Sequence, residues 1–195
     1  MQFKLEQLQK HAQHQEHNTR RQFLKMSLGL TTGLIMPNAF ATAFKQPERK
    51  LSLINLHTGE SLSSTYWAEG DYQTSELHAI NRVLRDHRTG DMTPIDKDLI
   101  DLLNILHHKM NGKQPFHVIS GYRSPKTNAM LNQQSSGVAK KSLHMQGKAI
   151  DIRLPGRHLS DLRKAALNLH AGGVGYYSKS DFVHIDTGRV RHWGS

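Results

Sequence analysis

"SLHMQGKAIDIRL", Ser142–Leu154, is the stretch on which the reading of this chain turns. Its second half alternates, so Ala149, Asp151 and Arg153 fall on one face of a strand and Ile150 and Ile152 on the other. One face suits a core, and the other carries a carboxylate. His144 stands seven positions before Asp151. Gly147 lies between them, where a residue without a side chain lets the chain turn tightly and the two groups converge. Ala149 is small and shares the face of Asp151, which leaves room there for an ion.

A second strand signal, "DFVHIDTG", follows at residues 181–188 and carries His184. The chain has no cysteine, which excludes disulfides, thiolate ligands, a cysteine nucleophile and a lipidated-cysteine anchor. A metal site here must use His, Asp or Glu. Three such ligands with a fourth position for water are the pattern of a catalytic zinc rather than a structural one.

The rest of the chain supplies a scaffold. "LSLINLHTGE" and "SLSSTYWAEG" alternate apolar and polar residues around a turn at 57–60, which predicts a β-hairpin. "SELHAINRVLRDHRTG" puts Leu77, Ile80, Val83 and Leu84 on one helical face, with Gly90 placed to end the helix. A second helix is expected from a Thr93 N-cap and Pro94 to Gly112, burying Leu99, Leu102, Leu103, Leu106 and Met110. Its His107–His108 pair reads as surface. "PFHVIS" is a strand, Ser124-Pro125 caps and starts another helix, and "SDLRKAALNLHAGG" is a helix capped by Ser160. "VGYY" and "DFVHIDTG" close the order as strands. This predicts an α+β fold with a small antiparallel central sheet and helices on one side.

The N-terminal region has a different character. Arg20 and Arg21 sit in Thr19-Arg-Arg-Gln-Phe-Leu-Lys25, a weakly apolar run extends from Met26 to Met36, and Ala39-Phe-Ala41 has peptidase-site spacing. This is the layout of an export signal of the twin-arginine type. The run is shorter than the roughly twenty residues a spanning helix needs. The expected division is a signal at 1–41, cleaved or kept, a linker at 42–50 and one domain at 51–195. Beyond residue 41 the chain has 21 Lys/Arg against 14 Asp/Glu, a net of +7. That surplus suits an anionic partner. For an exported protein the abundant one is peptidoglycan; no nucleic-acid motif is present.

The motifs "ISGYRSPKTN", "GVAKKSLHMQGKAIDI", "AGGVGYY" and "FVHIDTG" together resemble a known family. These are the zinc peptidases that include D-Ala-D-Ala carboxypeptidases, the vancomycin-resistance dipeptidase and the Hedgehog amino-terminal fold. More closely, the motifs resemble the murein endopeptidase K group. The likeness runs from about Leu53 to Trp193. It implies one zinc held by His144, Asp151 and His184. It also implies a substrate-facing role for Arg123 of "SGYRS", whose planar fork suits a carboxylate or an oxyanion. Several relatives carry a glutamate base three positions before the last histidine. Here that position is Asp181, and Asp186 is the alternative base. Where relatives have a His-x-His pair, Asp186 would itself align with the ligand; His184 is preferred because imidazole is the better zinc donor. Ser142 is expected to support the site or touch substrate, and His192 is a further residue of interest by position alone. The implied activity is periplasmic hydrolysis of peptidoglycan cross-links. The expected bond is the L,D link between two diaminopimelate residues, with the D-Ala–diaminopimelate link as a second candidate. The alternatives are a D,D-carboxypeptidase or dipeptidase, or a non-catalytic peptidoglycan-binding domain.

Overall fold

The structure, a computed structural model, describes residues 47–135 and 137–194. The expected export signal and most of the expected linker lie outside the described residues. Among the described residues no helix is long and apolar enough to cross a membrane.

The chain opens with a hairpin, β1 (Arg49–Asn55) and β2 (Ser61–Ala68), so two residues of the expected linker belong to a strand. A two-residue strand β3 (Asp71–Tyr72) turns back on β2. Asn55 holds the hairpin turn. Its side-chain oxygen accepts from the backbone N–H of His57 and Thr58, while its amide donates to the Val83 carbonyl. Helices α1 (Thr74–Val83) and α2 (Lys97–Lys109) follow. The first stops before Gly90. The second starts at Asp96, whose carboxylate accepts from the Asp98 N–H, rather than at Thr93-Pro94. An aspartate two positions from a free N–H outcompetes the upstream threonine as cap.

Strand β4 (Phe116–Ser120) leads to α3 (Pro125–Gln134), with Ser124 capping as the Ser-Pro pair predicts. Then come β5 (Ala149–Arg153), α4 (Leu159–Leu169), β6 (Gly173–Tyr177), β7 (Phe182–Asp186) and a short β8 (Arg191–Trp193). Helix α4 is entered from His158, not Ser160.

All eight strands form one sheet in the order β3-β2-β1-β4-β5-β7-β6-β8. The expected small antiparallel sheet is therefore corrected to a larger mixed one: β1 pairs parallel with β4, and β6 with β8. The physical reason for the first is the crossover through α1 and α2, which returns the chain beside β1 in the same direction. Alternation marks a strand but says nothing of its partner. The four strands around the centre, β4-β5-β7-β6, are antiparallel as expected.

One sheet face is apolar. Leu53, Phe116, Val118, Ile150, Ile152, Val183 and Ile185 lie there, and α1, α2 and α4 cover it with Ile80, Leu99, Leu103, Leu106 and Leu162. Each of these side chains contributes about 1.5–3 kcal/mol on burial. Stability is thus concentrated on that side, and the other face is free to carry polar groups.

Candidate metal centre

The polar face centres on β5 and its neighbour β7. Asp151 and His184 are cross-strand partners, so their side chains stand side by side on the sheet. His144 arrives from outside the sheet, on a single 3-10 turn (Leu143–Gln146) just before β5. Ser142 caps that turn by accepting from the His144 N–H. Gly147 ends it at φ 65°, where a side chain would be strained. A Cβ there would come within 2.4 Å of the Pro94 carbonyl. The glycine is required by this close approach as well as by the turn. Ala149 stands opposite Asp186 in the ladder, so its small side chain makes room chiefly for that buried carboxylate.

Three ligand atoms converge. His144 Nε2 is 3.3 Å from Asp151 Oδ1 and 3.2 Å from His184 Nδ1, and His184 Nδ1 is 2.9 Å from the same oxygen. Tetrahedral ligands about 2.0–2.1 Å from a zinc-sized ion would be about 3.3 Å apart. The triangle has the size for such an ion. It is the one group of three or more His, Cys, Asp or Glu among the described residues that meets metal-site spacing.

The outer partners of the two imidazoles set which nitrogen faces inward. His144 Nδ1 donates to the Gly121 carbonyl at 2.7 Å, which leaves the Nε2 lone pair pointing at Asp151. His184 Nε2 donates to Asp186 Oδ2 at 3.0 Å, which leaves Nδ1 as its inner atom. With both N–H groups committed outward, three acceptors crowd one point in a buried place, an arrangement that a cation satisfies. Burial pushes the Asp151 carboxyl up, but the two histidines outweigh it and hold it well below the usual range. For His184, burial pulls down and the hydrogen bonds to Asp151 and Asp186 more than offset it, so its pKa is raised.

Asp186 is fully buried. Its oxygens accept from Gly173 N–H, Gly188 N–H, both terminal nitrogens of Arg191 and His184. Burial raises its pKa, but these donors outweigh burial and lower it. It sits behind His184, on the ring edge away from the three converging atoms. Asp181 is elsewhere. It is exposed, in the left-handed region at φ 53°, and bonded at 2.6 Å to Arg153. No hydrogen bond joins it to the three converging residues.

Arg123 reaches the centre through a backbone irregularity. A β-bulge in β4 after Val118 sets Ser120, not Ile119, opposite Asp151. The Arg123 guanidinium lies 3.8 Å from Asp151 Oδ2, with long contacts of 3.4 Å to Ser120 and Asn128. It is largely buried, which lowers its pKa. Its hydrogen bonds to Ser120 and Asn128 are both long, and they leave three of its five N–H donors without a hydrogen bond among the described residues.

His192 pairs with the inward-facing Val174 in a parallel ladder and is exposed, so it points away from the site while Arg191 and Trp193 point towards it. The supporting groups that sequence reasoning missed are the Gly121 carbonyl, Ser120 and Arg191. A backbone carbonyl and a bulge leave no mark in residue types, and Arg191 is one of two arginines near the C-terminus, with Arg189 beside it.

The chain is similar in sequence to known proteins. The family model for Peptidase_M15_2, described as peptidoglycan L,D-endopeptidase MepK, matches residues 43–193. The peptidoglycan L,D-endopeptidase MepK of Escherichia coli (strain K12) is 45% identical over 175 residues, covering 89% of this chain and 96% of that protein. The probable peptidoglycan L,D-endopeptidase MepK of Haemophilus influenzae is 38% identical over 177 residues, covering 89% and 95%. The match takes in the whole domain that builds the His-Asp-His cluster, and the chain belongs to the Peptidase_M15_2 family.

Proposed function

We propose that this protein is a periplasmic zinc metallopeptidase that hydrolyses peptide cross-links of peptidoglycan, the L,D bond between diaminopimelate residues first among them. The observation that carries the reading is the convergence of His144 Nε2, Asp151 Oδ1 and His184 Nδ1, with both histidine tautomers set by outward hydrogen bonds. Imidazole and carboxylate in this number suit zinc. When bound there, zinc supplies Lewis acidity, which polarises a carbonyl and brings the pKa of water towards neutrality.

The chain's own residues do the rest. Arg123 offers its unfilled donors to a substrate carboxylate or to developing negative charge. Asp186 and Arg191 orient His184. Of the two sequence candidates for proton acceptor, Asp186 has its oxygens filled by five donors. Asp181 is retained as the candidate because it is exposed and has only Arg153 as its hydrogen-bond partner among the described residues. Asp181→Asn tests this cleanly, since asparagine tolerates the left-handed backbone there. A loss of kcat of about 10²-fold or more with metal retained supports the role. Activity within a few-fold of wild type removes Asp181 from the chemistry.

A peptidoglycan substrate places the protein outside the cytoplasm, in keeping with the export signal expected at 1–41 and with twin-arginine transport. The deciding experiment is digestion of defined cross-linked muropeptide dimers by zinc-loaded protein, with and without chelator, with products read by mass spectrometry. Cleavage of the diaminopimelate–diaminopimelate dimer, abolished by chelator and restored by zinc, is expected. If zinc-loaded protein leaves both kinds of dimer intact, the endopeptidase reading is lost. Release of terminal D-Ala alone would favour a carboxypeptidase.

A further inference from the structure

The strand order puts the two ligand-bearing strands, β5 and β7, at the middle of the polar face. Arg123 stands on one bank, beyond β4. The opposite bank is built by β6 and β8, which supply Gly173 and Arg191 to Asp186 and also carry Gly175, Tyr177 and Trp193. Gly175 of β6 is the cross-strand partner of His184. Its missing side chain is filled by the indole of Trp193, whose ring atoms would lie 2.6–2.8 Å from a Cβ at that position. The Trp193 ring also packs against His184, with centroids 5.2 Å apart.

From that position Trp193 Nε1 donates to the hydroxyl oxygen of Tyr177 at 2.9 Å. Tyr177 is held from below by stacking on Phe182, its cross-strand partner, at 4.5 Å. The phenol oxygen is therefore brought back over Gly175, one strand from His184. Its accepting side is filled by the indole. Its own proton has no acceptor among the described residues. A half-buried donor, fixed by an acceptor contact and a stacked ring, is poised to bond to something that is not part of the chain.

We infer that Tyr177 is a substrate-contacting hydrogen-bond donor, serving a carbonyl or carboxylate oxygen of the bound peptide on the bank opposite Arg123, and that Trp193 is a positioning residue that aims it. Resting on the endopeptidase reading above, this adds the second bank of the substrate site. A peptide laid across the strands over the metal ligands meets Arg123 on one side and Tyr177 on the other.

The test uses the zinc-loaded protein, the diaminopimelate–diaminopimelate muropeptide dimer, and the variants Tyr177→Phe, Trp193→Phe and the double variant. Phenylalanine at position 177 keeps the stack on Phe182, so folding and metal content of Tyr177→Phe are expected to be unchanged; zinc content is measured for Trp193→Phe and its activity is taken per bound zinc. Tyr177→Phe is expected to lower kcat/KM at least tenfold and Trp193→Phe severalfold. The double variant is expected to be no worse than Tyr177→Phe alone, because the indole acts through the hydroxyl. In parallel, metal-stripped protein is titrated with the same dimer. Its affinity is expected to fall severalfold in Tyr177→Phe, a readout that does not depend on turnover. Tyr177→Phe within twofold of wild type in both measurements overturns the inference. Additive losses in the double variant overturn the role of Trp193. If the wild-type protein binds the dimer but does not cleave it, the peptidase reading fails while the binding titration still judges Tyr177.

Discussion

Replacing Asp186 with asparagine isolates the step by which one buried carboxylate would control the proposed metal ligand His184. In the native site Asp186 Oδ1 accepts from Gly173 N–H, Gly188 N–H and Arg191 Nη1 at 2.9–3.0 Å, and Oδ2 accepts from Arg191 Nη2 at 2.7 Å and His184 Nε2 at 3.0 Å. An amide of the same shape turns one of these acceptors into a donor. Placed on the Oδ1 side it would face three donors, and on the Oδ2 side two. The second choice costs less, and His184 can relieve it by moving its proton from Nε2 to Nδ1. That move protonates the ligand atom. Metal binding must then reverse it against an unpaired amide, so affinity is expected to fall about 10–100-fold, or about 1.4–2.7 kcal/mol. The unsatisfied buried group also costs about 1–3 kcal/mol of apoprotein stability. Competition between protein and a chromophoric chelator for zinc reads the first effect, and denaturant unfolding of the metal-free protein reads the second. Wild-type zinc affinity in Asp186→Asn would refute the orienting role. Unchanged affinity with a collapsed kcat would instead make Asp186 the proton acceptor.

Three further outcomes are expected. Arg123→Lys keeps the charge but loses the planar fork, so kcat/KM should drop about 10²-fold with zinc content unchanged; values within threefold of wild type would remove Arg123 from the chemistry. Gly147→Ala forces a side chain into φ 65° and against the Pro94 carbonyl. Unfolding should occur at lower denaturant by about 1–3 kcal/mol, and an unchanged midpoint would contradict the close approach. Asp86 anchors the start of α3 by accepting from the Ser124 N–H. Burial raises its carboxyl pKa, but hydrogen bonds from Thr127 and Ser124 outweigh burial and hold it well below the ordinary 3.8. Because the folded value lies below the unfolded one, its contribution is complete above the unfolded pKa and is lost as pH falls below it. Asp86→Asn should therefore flatten the acid limb of a stability–pH profile between pH 6 and pH 2. Parallel profiles for the two proteins would count against it.

Some of this was legible in the order of residues. The period-2 run from Ala149 to Arg153 assigned one face to the core and one to Asp151, and the lack of cysteine limited the ligands to imidazole and carboxylate. Alternation and a turn glycine are local properties, written in adjacent residues, and they placed Asp151 on a strand face with His144 just before it; the full set with His184 came from the resemblance to a family of zinc peptidases. The helix starts were less legible, since Asp96 and His158 sit close to other plausible caps and only the folded backbone chooses among them.

What the tertiary structure alone decided is everything that depends on partners distant in sequence. The parallel pairing of β1 with β4, the bulge that turns Ser120 towards Asp151, and the distances among His144, Asp151 and His184, spread over forty residues, follow from packing, not from local pattern. So does the division of labour between the aspartates. In the sequence Asp181 and Asp186 are equivalent carboxylates flanking His184. In the fold one is exposed beside Arg153, and the other is buried beneath five donors with the tautomer of His184 in its keeping. A residue type specifies which chemistry is available. Burial and hydrogen-bond partners, which exist only once the chain has folded, specify which part of that chemistry is used.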